Sequence, residues 1–329
     1  MEIKMGTNGN LESLSIIIPC FNEEDCLENF FSVLKQTVKE NEGKFKGRVE
    51  YIFVNDGSSD RTAVILDRFA KNDENVIVYE FSRNFGKEAA LSAGLKFSTG
   101  DYVVPIDADG QHPPQTIFQM LEVIKKQPDI DLVVAKRKSR KNESFIYRFC
   151  TKSFYDLMNK ISNCEVPNGV GDFRLMRRTV VQALVNLPEK RRFMKGLYAW
   201  VGFKSEEIEY TVAERLDGKS KFTPLKLFSL AVDGLLDFSV FPLRVWGVIG
   251  FVIAFFAFLA ACYILVSTLI FGIKTPGYAS LIISVVFFGG VQLISIGVLG
   301  EYLGRVYNQA KGRPTYIIRK KVTLENKEF

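Results

Sequence analysis

The sequence predicts an α/β domain with a mostly parallel β-sheet, followed by a C-terminal hairpin of two transmembrane helices. Before Phe241, short apolar runs rich in β-branched residues alternate with helix-like segments, which is typical of a sheet covered by helices on both faces. After Phe241, the apolar residues come in two long uncharged runs. Each run exceeds the roughly 20 residues that span a bilayer core.

Five apolar runs are the predicted strands of the sheet. They are Leu14–Ile18, Tyr51–Val54, Val76–Glu80, Tyr102–Ile106 and Leu132–Ala135. The predicted helices between them are Cys26–Glu40, Thr62–Lys71, Lys87–Phe97 and Gln115–Gln127. In open α/β sheets ligands bind beyond the carboxyl ends of the strands. We therefore expect the functional residues in the turns that follow the strands.

The apolar runs predict two membrane spans, at about residues 245–271 and 279–303 of a hairpin that covers residues 244–304. A buried soluble helix this long and apolar on every face would be unusual. The loop between the spans carries Lys274 as its one charged residue, whereas the tail 305–329 is basic. The positive-inside rule therefore predicts a multi-pass protein with the N-terminal domain and both termini in the cytosol.

The remaining domain boundaries follow from these spans. Residues 1–222 form the predicted cytosolic domain. Residues 223–243 are partly amphipathic, and a helix in the membrane interface and a helix packed on the cytosolic domain fit this segment equally well. Residues 1–10 are polar and predict no secretory signal.

Composition excludes some classes of function. The net charge of +6 is too small to indicate nucleic-acid binding. It fits a surface beside anionic lipid or phosphorylated substrates, and equally fits a charge that serves only solubility. The five cysteines include no C-x-x-C pair, and His112 is the one histidine, so a zinc site is not expected. Free thiols in a reducing cytosol fit this pattern.

Three of the turns after predicted strands carry polar residues that are unremarkable when taken singly. The first strand runs into Asn22 and Glu23, the second into Asp56, and the third into a turn with Arg83 and Lys87. An aspartate at a strand end can accept a hydrogen bond from a nucleobase or a ribose, and cations before a helix suit an anion. Each pattern alone also describes an ordinary turn.

The turn after the fourth strand carries the strongest pattern, Asp107-Ala108-Asp109-Gly110-Gln111. An apolar strand delivers two carboxylates, one residue apart, to the edge of the sheet. Mg²⁺ or Mn²⁺ uses few protein carboxylates and completes its shell with water and phosphate oxygens. Such an ion neutralises a diphosphate leaving group. On this short pattern alone, a solvated acidic turn remains the alternative.

The four turns together, in this order, resemble glycosyltransferase family 2 enzymes with a GT-A fold. The resemblance is greatest to the polyprenyl-phosphate glycosyltransferases, a group that includes bacterial bactoprenol glucosyltransferases and more distantly dolichyl-phosphate mannose synthases. It covers nearly the whole chain. The motifs that carry it are Ile18–Glu24, Val54–Asp60, Ser82–Ala90, Asp107–Pro114, Gly171–Arg174 and the apolar hairpin.

The resemblance implies a role for each matching residue. The implied nucleotide pocket is lined by Pro19, Asn22, Glu23, Asp56 and Asp107. The implied metal ligands for Mg²⁺ or Mn²⁺ are Asp109, Asp107 and Gln111, with Asp109 the most direct. The implied catalytic residues are Asp109 and Asp172, of which Asp172 lies nearest the reacting centre.

Basic residues are implied to contact the donor and acceptor phosphates. They are Arg215, Lys219 and Lys221 in the loop before the membrane part, together with Arg137 and Arg148. A lysine-rich solvated loop is the alternative for the first three. Arg148 lies in the segment Tyr147–Phe154, whose spacing departs from that of the related enzymes.

The activity that the resemblance implies is inverting transfer of a hexose from a UDP-sugar, with UDP-glucose first, to undecaprenyl or another polyprenyl phosphate. The product would serve cell-envelope glycosylation at the bacterial inner membrane. The implied partners are the UDP-sugar, the polyprenyl phosphate, the lipid bilayer and further copies of the chain, in a tetramer.

Two other functions remain open. A processive polysaccharide synthase would have more spans and a Gln-x-x-Arg-Trp segment, where this chain has Arg191-Arg192-Phe193. A catalytically silent membrane scaffold or lipid carrier on the same fold would not need Asp107, Asp109 and Asp172 together.

Overall fold

The computed structural model describes residues 12–43, 47–138, 170–189, 192–211 and 277–324, together with scattered positions between 250 and 270. The chain divides into two compact units. One unit contains the β-sheet and the C-terminal strand, and the other contains the long apolar helix near the C-terminus.

The first unit is an α/β structure built on one sheet. Its described strands are β1 (Leu14–Cys20), β2 (Val49–Asn55), β3 (Val76–Phe81), β4 (Tyr102–Pro105), β5 (Leu132–Arg137), β6 (Val170–Arg177), β7 (Ser205–Tyr210) and β8 (Ile318–Val322). Its described helices are α1 (Leu27–Glu40), α2 (Thr62–Asn72), α3 (Lys87–Phe97), α4 (Gln115–Lys126), α5 (Arg178–Val185) and α6 (Met194–Trp200). The five strands and four helices predicted from the sequence are all present.

The strand order of the sheet is β7-β5-β6-β4-β1-β2-β3-β8. The central strands β4, β1, β2 and β3 run parallel, and β5 runs parallel to β7. Strand β6 is antiparallel to both of its neighbours, and β8 is antiparallel to β3. Parallel pairs are therefore in the majority, as the strand–helix alternation predicts.

Burial explains why these segments form these elements. Strands β1 and β2 are buried along nearly their whole length, which suits their continuous apolar sequence. Helix α1 buries Leu27, Phe30, Phe31 and Leu34, at the spacing of one helical face. Residues of α1 pack with Phe53 of β2, whereas residues of α3 pack with Ile52 and Val54, so helices cover both faces of the central sheet.

Helix α3 packs unusually close to the sheet. Its middle is rich in small residues, and all of its residues from Ala89 to Leu95 are buried. A Cβ atom on Gly94 would lie 2.2 Å from Cγ2 of Ile17 in β1. Only a glycine allows this close approach. The approach determines where the first turn of α3 lies relative to the ends of the strands.

The second unit contains α7 (Tyr278–Ala310), which covers the second predicted span. Within the described chain, one helical stretch, Phe287–Ala310, is long and apolar enough to cross a membrane. Only scattered positions of the first predicted span are described, and the predicted amphipathic segment 223–243 lies outside the described residues. The two-helix hairpin thus stays a prediction.

Strand β8 is an addition that the sequence pattern did not reveal, because it lies in the basic tail beyond α7. It pairs with β3, and Tyr316 just before it stacks on Phe81 with the ring centroids 5.0 Å apart. The amide of Ser82 donates a hydrogen bond to the carbonyl of Ile317 at 3.0 Å. Lys320 forms an ion pair with Asp67 at 2.7 Å.

We expect Tyr316→Ala to destabilise the β3–β8 edge, because it removes a ring stacked on buried Phe81. The expected loss of stability is about 1–2 kcal/mol. Hydrogen exchange of the β3 peptide in the full chain, held in detergent, measures it. Ile317→Ala is the matched control, because that side chain is mostly exposed. Equal exchange in both variants would contradict a stabilising role of the stacked ring.

Candidate active site

One edge of the sheet gathers the predicted site residues. Parallel strands β1, β2 and β4 all end at this edge. Strand β6 is antiparallel to β4, so its beginning, with Asp172, lies there as well. Strands β5 and β7 also end there, since Lys136 pairs with Val170 and Arg137 with Tyr210. The topology therefore places Asp172 and Arg137 at the edge to which β4 delivers Asp107.

The turns after β1 and β2 hold each other in place. Asn22 has a φ of 54°, a left-handed conformation that asparagine tolerates better than most residues. Its Oδ1 accepts a hydrogen bond from the Ser59 amide at 2.9 Å, and its own amide donates to Ser58 Oγ at 3.1 Å. The amide of Glu23 donates to Thr62 Oγ1 at 3.0 Å. These contacts make the predicted nucleotide-binding turns one ordered surface.

Pro19 and Glu23 frame the first of these turns. Pro19 pairs in register with Val54 of β2, and it is the one residue of β1 that is not fully buried. Glu23 Oε2 lies 3.3 Å from Sγ of Cys26. Burial and the nearby Glu23 raise the pKa of the Cys26 thiol to about 12, so this thiol is protonated near neutral pH.

Asp56 connects the turn after β2 to the turn after β3. Its Oδ1 accepts a hydrogen bond from the Phe85 amide at 2.7 Å, and its Oδ2 accepts one from the Gly86 amide at 2.9 Å. The carboxylate is 3% exposed. Burial raises its pKa, although both amides and Arg83 oppose this. Asp56 thus orders the loop before α3, and its predicted contact with a nucleotide stays a prediction.

Lys87 joins two carboxylates at the centre of the edge. Its Nζ lies 2.7 Å from Asp107 Oδ1, 2.8 Å from Asp107 Oδ2 and 3.4 Å from Asp172 Oδ2. Burial alone would raise the pKa of Asp107, but Lys87 and more weakly His112 hold it below its ordinary value. Burial lowers the pKa of Lys87, but Asp107 and Asp172 outweigh that and raise it overall. Both partners of this pair are therefore charged.

Asp109 and Gln111 lie in the turn just after β4. The Gln111 amide donates to Asp109 Oδ1 at 3.0 Å, and no described donor reaches the other carboxylate oxygen. The described residues contain no group of three or more His, Cys, Asp or Glu side chains placed to hold a metal ion. A divalent ion that takes most of its ligands from a diphosphate and water needs only one or two carboxylates. Asp109 fits that requirement, whereas Asp107 is held by Lys87.

Several buried polar atoms around this edge have no hydrogen-bond partner within the described structure. They are Asp172 Oδ1, His112 Nδ1, Arg137 Nε, Arg174 Nε and the Tyr198 hydroxyl. Buried polar groups normally have partners, and unpaired ones concentrate where a ligand completes the site. Asp172, predicted to lie nearest the reacting centre, is among them.

Three groups at this edge were missed as site residues by sequence reasoning. The His112 ring packs 4.8 Å from Phe173, and burial lowers its pKa, so it is neutral near pH 7. The guanidinium of Arg174 lies 3.6 Å from the Tyr198 ring centre, beneath the site. Glu88 accepts a hydrogen bond from the Met194 amide at 3.1 Å. All three lay inside motifs that carried the resemblance, namely Ser82–Ala90, Asp107–Pro114 and Gly171–Arg174, but none was singled out there.

Glu88 has an unusual acidity. Burial first, and then the negative charge of Asp172, raise its pKa to about 7, while the Met194 amide, Lys87 and Lys195 oppose this. It is thus a carboxyl group that is partly protonated near neutral pH beside Lys87. Arg148, Arg215, Lys219 and Lys221 lie outside the described residues.

The fold and this edge define an α/β protein with a lysine-bridged acidic site at the strand ends, and comparisons with known proteins identify its family. The model of Glycosyl transferase family 2 matches residues 15–185, more than half of the chain. The chain belongs to this family. This confirms the predicted resemblance, the GT-A-like α/β fold and the transferase class.

Two relatives are similar to this chain over nearly their full length, and a solved structure is similar over about two thirds of this chain. A prophage bactoprenol glucosyl transferase homolog of Escherichia coli (strain K12) is 46% identical over 93% of this chain and 98% of its own. The bactoprenol glucosyl transferase of Shigella phage SfII is 46% identical over 93% of this chain and 97% of its own. A crystal structure of mannosyl-3-phosphoglycerate synthase from Rubrobacter xylanophilus is similar at a TM-score of 0.47 and 17% identity, covering 67% and 71% of the two chains.

We expect Asp56→Asn to loosen the loop before α3, because an asparagine side chain has one acceptor oxygen for two amide donors. The expected cost is about 1–3 kcal/mol of stability, since one buried amide loses its partner. Hydrogen exchange of the Phe85 and Gly86 amides measures the local effect. Asp25→Asn is the control, because Asp25 is exposed. Unchanged protection of both amides in Asp56→Asn would contradict this role.

The raised pKa of Glu88 makes stability depend on pH. A carboxyl group with a higher pKa in the folded chain contributes stability that is fully present below 4.5 and is lost as pH rises through about 7. We expect the thermal midpoint of the full chain to fall across this window, by an equivalent of roughly 3 kcal/mol.

We expect Glu88→Gln to flatten that fall, because glutamine stays neutral. Glu206→Gln is the control, since Glu206 is exposed on β7. Equal slopes for wild type and Glu88→Gln would show that another group causes the pH dependence.

Proposed function

We propose that the chain transfers a hexose, with glucose as the first candidate, from a UDP-sugar to the phosphate of undecaprenyl or another polyprenyl phosphate, with inversion at the anomeric carbon. The observation that carries this proposal is the cluster of Asp107, Lys87 and Asp172 at the strand ends of a family 2 domain. Relatives named bactoprenol glucosyl transferases, 46% identical over nearly the whole chain, favour this acceptor.

The ordered turns after β1 and β2 form the proposed donor pocket. The nucleotide lies against the surface formed by Pro19, Asn22, Glu23 and Asp56, and its diphosphate extends toward Asp107. This direction matches the order of the strands, since β4 lies beside β1, which lies beside β2. Arg137 at the end of β5 lies farther along the same edge and contacts a phosphate of the donor or the acceptor.

The chemistry needs charge stabilisation more than proton abstraction. A phosphomonoester is largely dianionic near pH 7, because its second pKa is about 6, so the acceptor oxygen is already a nucleophile. It attacks the anomeric carbon as the bond to the nucleoside diphosphate breaks, and one displacement inverts that centre. Asp172 orients the acceptor or stabilises the positive charge that develops on the sugar.

A divalent ion, Mg²⁺ or Mn²⁺, when bound, supplies positive charge to the leaving diphosphate. Asp109 would hold it, with Asp107 and Gln111 beside it. The cationic side chains Arg215, Lys219 and Lys221 offset the repulsion between the two anionic substrates.

The membrane part fits an acceptor that is anchored in lipid. Helix α7 provides one apolar span, and the uncharged run 245–271 provides the second span of the proposed hairpin. The charge distribution favours a cytosolic domain and cytosolic termini at a bacterial inner membrane. The glycines of α7, including Gly289, Gly290 and Gly297, meet no described neighbour within 4 Å of an added Cβ, which leaves room for close helix contacts in a homo-oligomer such as a tetramer.

The proposal is tested by transfer to undecaprenyl phosphate in detergent, with a panel of UDP-sugars and Mg²⁺ or Mn²⁺. We expect one donor to give a lipid-linked product. We expect Asp109→Ala to lower turnover by at least about 100-fold, as loss of a major electrostatic contact does in other enzymes. Asp129→Ala is the matched control, because Asp129 is a mostly exposed acid far along the chain from the turn.

Asp172→Asn in the same assay tests the role of that carboxylate. Near-normal turnover in this variant would contradict it. A repeating polymer in place of a single sugar would favour a processive synthase. No product from any donor, with wild type correctly folded, would favour a silent scaffold or lipid carrier.

A further inference from the structure

Lys87 contacts the carboxylate that is also a proposed ligand of the divalent ion. Its ammonium contacts both oxygens of Asp107, at 2.7 and 2.8 Å, and one oxygen of Asp172 at 3.4 Å. Asp107 is the first carboxylate of the Asp-x-Asp pattern. A divalent ion at Asp107 would be held by these same carboxylate oxygens. Lys87 and the ion therefore compete for one carboxylate.

The position of Lys87 is built into the fold. Lys87 is the first residue of α3 and follows Gly86, whose φ of 98° strongly favours glycine. The close contact of Gly94 with Ile17 holds α3 against β1. The Asp56 carboxylate fixes the Gly86 amide from the other side. The ammonium is thus held near the strand ends by backbone constraints as well as by charge.

The surroundings make this pair responsive to a ligand. The Lys87 side chain is 46% exposed and that of Asp107 is 29% exposed, so an incoming group can reach both. Asp172 offers the ammonium a second partner, and its Oδ1 has no described hydrogen-bond partner. Lys87 can therefore leave Asp107 without losing every carboxylate contact.

We propose that Lys87 holds Asp107 while no donor is bound, and releases it toward Asp172 and the diphosphate only when a divalent ion arrives with a nucleoside diphosphate. This inference rests on the proposed function. The ion alone must displace a lysine and enter beside its positive charge. With the diphosphate present, added negative charge offsets that repulsion and provides the remaining oxygen ligands. Metal and nucleotide therefore bind cooperatively, each raising the affinity of the other by the same factor.

Removal of the lysine charge should uncouple the two ligands. We measure Mn²⁺ binding to the full chain in detergent by electron paramagnetic resonance, with and without UDP, for wild type and Lys87→Met. We expect Lys87→Met to bind Mn²⁺ without UDP about 10-fold more tightly than wild type, and to gain less affinity when UDP is added. Lys87→Arg keeps the charge and should restore the cooperativity of wild type.

Lys96→Met is the matched control, because it removes the same charge from the last turn of the same helix. It should leave both Mn²⁺ affinities unchanged. Thermal midpoints of every variant separate binding from folding, and Lys87→Gln replaces Lys87→Met if the latter fails to fold. Unchanged or weaker UDP-free Mn²⁺ binding in the folded Lys87 variant would overturn the proposal.

The failure of this inference is distinguishable from the failure of the proposed function. Suppose that wild type binds Mn²⁺ with UDP, that Asp109→Ala abolishes this binding, and that Lys87→Met changes nothing. Only the role of Lys87 is then overturned. If no variant binds Mn²⁺ even with UDP, the proposed metal site falls and the competition at Asp107 falls with it.

Discussion

The ion pairs of Lys87 with Asp107 and Asp172 are the interaction on which the candidate site depends. The sheet brings the two carboxylates together from opposite directions, because β6 begins where β4 ends. Two carboxylates that contact the same ammonium lie close enough to repel each other strongly. An ammonium between them removes that penalty. Without it, an edge lined with carboxylates would be a poor place for a diphosphate.

The position of Lys87 also depends on packing farther along α3. Lys87 reaches both carboxylates only because α3 lies close to the sheet, and α3 lies close because Gly94 has no side chain against Ile17. The turn after β2 makes a similar demand. A Cβ on Gly57 would lie 2.5 Å from the backbone carbon of Arg83, so this turn and the loop before α3 touch directly. Gly57 and Gly94, which have no side chain to take part in the chemistry, thus set the geometry of the charged groups.

The sequence predicted the central strands and their helices because burial on both faces leaves a clear apolar pattern. Two of the three strands that were missed, β7 and β8, lack that pattern. Strand β7 is Ser-Glu-Glu-Ile-Glu-Tyr and is mostly exposed, and β8 is Ile-Arg-Lys-Lys-Val at the opposite edge of the sheet. Such edge strands are specified by pairing with a neighbour and carry charges that discourage further pairing. Their own composition therefore resembles that of a solvated loop.

The location of the site was predictable, but its contacts were not. Turns after parallel strands meet at one edge, so Asp56 and Asp107 could be placed there from the sequence. Two backbone amides donate hydrogen bonds to Asp56, and Lys87 forms an ion pair with Asp107. These partners lie about 20 to 30 residues away from the aspartates in the chain. The sequence pattern predicted that Lys87 contacts an anion but did not identify it. In the structure this anion is the carboxylate of Asp107.

The unit that carries the candidate site includes the C-terminal strand β8, which lies beyond α7 in the sequence. The sheet contains seven described strands that precede α7 in sequence and one, β8, that follows it. In a fragment that ends before α7, β3 would be an unpaired edge strand and Phe81 would lose its contact with Tyr316. Phe81 directly precedes Ser82, whose amide also bonds to the tail at Ile317, and the loop that Asp56 orders follows at once. The order of that loop, and through it the position of Lys87, is therefore linked to the chain on both sides of the apolar segment.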